Sequence, residues 1–161
     1  MLRPSSLNCN YAMRHSDDSS VVYARLKLDK CSNECVVYDS VQRDCAYSLQ
    51  DDQEIVSFEC NVATPDFEDG QYTSDFVCHT ADGGIRVYEC TERRPIPKNK
   101  MRLLLCCEKY WKKRGAAEWT LVVRERFPTA DGEEDGLLML TFADNEEELA
   151  HLQKRYPLFP T

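Results

Sequence analysis

Asp75 and Glu89 are the side chains of this chain best spaced for chemistry, because a β-hairpin is written between them. In YTSDFVCHTADGGIRVYECT, residues 72–91, apolar and β-forming residues run from Tyr72 to His79. The turn cluster Asp82-Gly83-Gly84 follows, and Ile85, Val87, Glu89 and Thr91 alternate after it. With the turn centred on Gly83, Asp75 pairs near Glu89 or Thr91. Residues directly opposed on antiparallel strands share a face with Cβ atoms roughly 4.5–5.5 Å apart, close enough for two carboxylates to hold one hard cation between their oxygens. Phe76, Cys78, Tyr88 and Cys90 then point the other way. The same two carboxylates also have a purely structural use, Asp75 capping a strand end and Glu89 lying on a solvated face. His79 shares the face of Asp75 in this scheme, as a rim residue or a simple strand-end histidine.

The elements that would hold the pair can be read outward from it. Asp39-Ser-Val-Gln42 has the form of a capping box, which predicts a helix from Ser40 to about Gln50 with Gln42, Cys45, Ala46 and Leu49 on its sheet-facing stripe. A strand is expected over Glu54–Cys60. Beyond the hairpin, Pro95 and Pro97 mark a linker, and Met101, Leu104, Leu105, Cys107 and Trp111 recur at helical spacing from Lys98 to Arg114 before Gly115 stops the pattern. EWTLVVRE, Glu118 to Glu125, reads as a buried strand. Val21–Asp29 alternates as an amphipathic strand with Val36–Tyr38 as a short partner. FPTADGEEDG reads as an acidic loop leading to a strand over Leu137–Phe142, and a last helix is expected from Asp144 to about Lys154 or Arg155. Residues 1–20 read as a loose segment and 21–161 as one domain.

Taken in this order, residues 37–125 resemble the nuclease domain of the TnsA transposon-end endonucleases, a branch of the PD-(D/E)XK restriction-endonuclease-like superfamily. Tyr72-Thr-Ser-Asp75-Phe76 fits that family's Asp-bearing strand, and Glu89-Cys-Thr91 sits where its E/Q-x-K strand belongs. The resemblance implies an α/β fold with a mixed central sheet flanked by helices. It also implies metal-dependent cleavage of a DNA phosphodiester in transposition or recombination, with DNA and a transposase subunit as partners. Asp75 and Glu89 would hold Mg²⁺ or Mn²⁺, and Gln42 takes the place of the family's helix-borne Glu. Thr91 replaces the lysine, whose ammonium offsets charge on the phosphate, and a hydroxyl cannot do this. Lys98 and Lys100 are the candidate substitutes from the next helix. The alternative the resemblance leaves is a catalytically inactive nuclease-fold subunit that binds DNA or protein.

Charge and cysteines bound the reading further. The chain has 20 basic and 28 acidic side chains, net −8, against a general nucleic-acid coat. Its positive charge is concentrated between residues 92 and 114, where Arg93, Arg94, Lys98, Lys100, Arg102, Lys109, Lys112, Lys113 and Arg114 stand against Glu92 and Glu108. This window suits a phosphate backbone, with Arg93, Arg94, Lys98, Lys100 and Arg102 nearest the hairpin. Nine cysteines are scattered through the chain; the first twenty residues lack an apolar core of signal-peptide length, and no stretch approaches the ~20 apolar residues of a membrane span. The expected setting is the cytoplasm, with thiols reduced and most packed as small apolar side chains. Cys31-x3-Cys35, with Cys9 or His15 nearby, is a weak zinc signal because no second close pair follows.

Overall fold

Asp39 starts the first helix as its sequence predicts: it is extended, and its carboxylate accepts from the backbone N–H of Gln42 at 2.8 Å. The computed structural model describes residues 21–65, 72–92 and 96–141, with Ala150 and Lys154. Its elements in chain order are β1 (Ala24–Leu26), β2 (Cys35–Val37), α1 (Ser40–Asp51), β3 (Ile55–Ala63), β4 (Thr73–Thr80), β5 (Ile85–Thr91), α2 (Lys98–Lys113), β6 (Glu118–Thr129) and β7 (Gly132–Thr141). The five later strands form one sheet in the order β3-β4-β5-β6-β7, and β1 pairs with β2 in a small sheet of its own. Only β5 and β6 run parallel among these pairings, because α2 carries the chain back between them. The expected α/β architecture, a mixed sheet flanked by helices, is what the chain forms.

Alternation along the strands sends successive side chains to opposite sides of the sheet, and each side has its own core. Val87, Trp119, Leu121 and Val123 pack with Leu103, Leu104, Cys107 and Tyr110 of α2. Phe76, Cys78, Tyr88, Cys90 and Val122 pack with Val41, Cys45, Ala46 and Leu49 of α1. The hairpin between these layers turns through Gly83, whose φ of +86° only glycine adopts without strain. α2 begins directly after Pro97 and ends at Arg114, with Gly115 at φ +92°.

Two expectations are revised by the structure. FPTADGEEDG is not a loop: β6 continues to Thr129, turns tightly, and returns as β7 from Gly132. Arg126 on β6 sits 3.4 Å from both Glu133 and Asp135 of β7, so acidic residues that read as loop are half of a cross-strand charge pattern. Gly136 is needed there because a Cβ would lie 2.9 Å from the Phe127 ring. The first strand is also shorter than Val21–Asp29, with only Ala24–Leu26 paired to β2. Residues 1–20, expected to be loose, and most of the span expected to form the last helix lie outside the described residues; within that span Ala150 and Lys154 are described and are helical.

Candidate functional site

The β4–β5 register pairs Phe76 with Tyr88 and Val77 with Val87, which sets Asp75 opposite Glu89 one step further on. Both are almost fully buried, as is Gln42. At this step the ladder opens, and side chains take over from backbone: the N–H of Cys90 donates to Asp75 Oδ2 at 2.7 Å, and the N–H of Asp75 points to Glu89 Oε1 at 3.4 Å. Gln42 reaches in from α1 and donates through Nε2 to Asp75 Oδ1 at 2.6 Å. Glu89 is met from α2, where the Cys107 thiol lies 3.3 Å from Oε2, and by the Tyr72 hydroxyl 3.2 Å from Oε1. Burial pushes the Cys107 thiol up and the neighbouring Glu89 adds to the shift, so Cys107 stays protonated and donates.

The local backbone explains why the opposed carboxylates find partners on different sides. Cys60 and Phe76 belong to the α1-side core, yet Val62 and Tyr72 pack on the α2 side, although these pairs are an even number of residues apart. Both strands therefore exchange faces at the position where Asn61 lies opposite Asp75. Asn61 has φ +53°, the left-handed conformation that Asn tolerates better than most residues, and its Nδ2 donates to the Val36 carbonyl at 2.8 Å. Ser74 then contacts Cys107 and Trp111 of α2, while Asp75 turns to Gln42 of α1. The simple alternation that predicts one shared face for Asp75 and Glu89 is interrupted at Asp75 itself.

Gln42 shows what the arrangement can and cannot do. Its Oε1 accepts from the backbone N–H of Tyr38 at 2.6 Å, so the amide orientation is fixed from both ends: an N–H must meet the oxygen, and an acceptor must meet the NH₂. The reciprocal half of the capping box is thus shifted by one residue, from Asp39 to Tyr38. A hard cation such as Mg²⁺ needs oxygens facing it in near-octahedral array. Here Gln42 offers hydrogens, and both Asp75 oxygens already accept from N–H donors. In this arrangement the residues do not fit Mg²⁺ or Mn²⁺.

The remaining predicted residues are distributed as follows. Thr91 is buried at the end of β5 and brings no cation. Lys100 is half-buried and Arg102 exposed on α2, whereas Arg93, Arg94 and the side chain of Lys98 lie outside the described residues. His79 is exposed and stands 3.9 Å from Glu59, apart from the network. Spacing alone missed Tyr72 and Cys107 as partners of Glu89, since one read as a strand residue and the other as part of an apolar helix stripe. No protein-family model, curated protein or solved structure matches the chain. Among the described residues, no helix is long and apolar enough to cross a membrane.

Proposed function

We propose that this chain is a TnsA-like nuclease-fold protein that keeps the scaffold of a metal-dependent DNA endonuclease without its cleavage activity. In this reading it serves transposition or recombination as a DNA-binding subunit in the cytoplasm, beside a transposase. The scaffold half of the reading is supported by connection across the chain: Gln42 and Asp75, 33 residues apart, bond through their side chains, and the Asp75 N–H points to Glu89, 14 residues on, so the three belong to one buried network. The observation that carries the loss of cleavage is the Gln42 amide, which presents its NH₂ group to Asp75 where a cation would need an oxygen. Thr91 in place of a lysine removes the charge that a cleaving site would set against the phosphate.

DNA is the favoured ligand because Arg102, Lys109, Lys112, Lys113 and Arg114 are exposed along α2 and at its end. Arg102, Lys109 and Lys113 recur at steps of seven and four, which keeps them on one helical face. Each phosphate they neutralise releases condensed counterions. The test is duplex binding followed by fluorescence anisotropy across a salt series. For R102E/K109E/K113E, binding should weaken at least tenfold and the log–log salt slope should fall by about two to three. No duplex binding by the parent at low salt, or an unchanged slope in the variant, would refute the DNA half.

The register that opposes Asp75 to Glu89 favours a second reading, a working endonuclease. Under it the network must rearrange so that these two carboxylates hold Mg²⁺ or Mn²⁺, with Lys98 or Lys100 supplying the lost ammonium. Nicking of duplex DNA that requires Mn²⁺ and disappears in Asp75→Ala would replace the first reading with this one.

A further inference from the structure

Cys31 lies in the loop after β1, Cys35 opens β2, and Cys60 lies on β3, so three separate pieces of chain each bring a sulfur to one place. The three Sγ atoms all lie within 4.8 Å of one another. A tetrahedral zinc ion with Zn–S bonds of ~2.3 Å sets its sulfurs ~3.8 Å apart, so closing this cluster around an ion needs shifts of about an ångström or less. Cys35 and Cys60 are almost fully buried, and Cys31 is half-buried. We propose that Cys31, Cys35 and Cys60 form a soft-metal site, taking Zn²⁺ through three thiolates and leaving the fourth position to solvent on the Cys31 side.

The surroundings distinguish this trio from cysteines that merely pack. Cys45, Cys78 and Cys90 lie in the apolar core between α1 and the sheet; Cys35 and Cys60 belong to the same core, and Cys31 packs against it. What sets the trio apart is that its sulfurs gather at one edge of that core and also meet polar groups: Cys31 Sγ is 3.3 Å from Asn33 Oδ1, and Cys60 Sγ is 3.0 Å from the Glu34 carbonyl. The x3 segment between Cys31 and Cys35 is held in place by Asn33, whose amide accepts from the Cys60 N–H at 3.1 Å and donates to the Cys60 carbonyl at 2.9 Å. One side chain thereby imitates a strand neighbour and fixes the loop against β3. Contact with the Cys35 thiol, and then with the Cys60 thiol, draws Cys31 well below the usual thiol range, while contact with Cys31 pushes the other two up. A dication that displaces the remaining protons relieves that competition, and binding releases those protons to solvent.

The ion would also have a mechanical consequence. β3 is an edge strand of the large sheet, and the segment through Cys31 covers it by a short parallel bridge, with Ser32 N–H to Phe58 O at 2.8 Å and Phe58 N–H to Lys30 O at 2.9 Å. Three sulfur bonds would fasten the β1–β2 sheet to that edge. Soft thiolates select Zn²⁺ over Mg²⁺ or Mn²⁺, so this site is separate from the carboxylate network in ligand as well as in place.

The experiment uses the whole chain, purified reduced and without chelator, with metal content measured by mass spectrometry and Co²⁺ substituted as a spectroscopic probe. About one zinc per chain is expected, with a thiolate-to-cobalt charge-transfer band. Cys31→Ser, at the half-exposed position, should either abolish binding or cut that band by about a third, one thiolate of three. Cys78→Ser, in the apolar core, should leave metal content and band unchanged. Circular dichroism checks that each variant is folded. A folded parent with no bound zinc, undiminished zinc and cobalt absorbance in Cys31→Ser, or freshly purified protein with Cys31 in a disulfide and no metal would each overturn the proposal.

Discussion

The carboxylate network and the cysteine cluster both gather potential metal ligands from separate elements, but they differ in what already occupies those ligands. Asp75 accepts from Gln42 and Cys90, and Glu89 accepts from Tyr72, Cys107 and the Asp75 backbone. Each acidic oxygen is therefore committed to a protein donor in a buried place, where releasing it costs free energy. The three sulfurs meet one another, Asn33 and the Glu34 carbonyl, and a thiol is only a weak donor and acceptor. Ligand type and proximity alone do not distinguish the two clusters. What separates them is whether binding an ion must first break good hydrogen bonds or only expel protons.

That contrast is sharpest at Asp75. Asp75→Ala leaves the Gln42 amide and the Cys90 N–H buried without an acceptor. At about 1–3 kcal/mol per orphaned group, the expected loss is on the order of 3 kcal/mol in urea unfolding. A loss below about 1 kcal/mol would mean that water reaches the network and that it is not closed. The cysteine cluster should respond to metal instead: stripping zinc with a chelator should lower stability by about 2 kcal/mol, or roughly 4–8 °C in the unfolding midpoint. The shift should vanish in Cys31→Ser.

Gln42→Glu probes the boundary between the two behaviours. It keeps an acceptor for the Tyr38 N–H but sets a carboxylate oxygen against Asp75, so stability should fall by about 1–2 kcal/mol at neutral pH while Mn²⁺ affinity rises from undetectable. Stability that stays constant would show that the two side chains are not in contact in solution. The smallest effect is expected at the strand reversal. Asn61→Ala should cost about 1 kcal/mol through its left-handed backbone and the lost bond to Val36, and Asn61→Gly less, because glycine is at ease there. Calorimetric or chemical unfolding of the two variants checks their order.

The elements with strong local signals were legible in the residues. The Asp39 cap, the Gly83 turn, the α2 stripe and the β-branched run of β6 each have a short-range cause, and together they predict the elements and their order, while the mixed sheet was expected from the family resemblance. The convergence of Asp75 with Glu89 in register was legible for the same reason. Their separation in partners was not, because it depends on Asn61 and on both strands changing faces, and a period-two reading assumes they never do. The β6–β7 hairpin was hidden by composition, since Glu133 and Asp135 look like loop until Arg126 is seen opposite them. Cys60 could not be joined to Cys31-x3-Cys35 by spacing, because only the pairing of β3 with the Cys31 segment brings it there.

Hydrogen bonds close the Asp75 network to a hard cation. Isothermal calorimetry of Mn²⁺ binding to the parent and to Asp75→Asn tests it most directly, since thiolates are poor ligands for that ion. The parent should give no saturable heat and should not differ from the variant. One-site binding in the parent that is lost in the folded variant would contradict this closure.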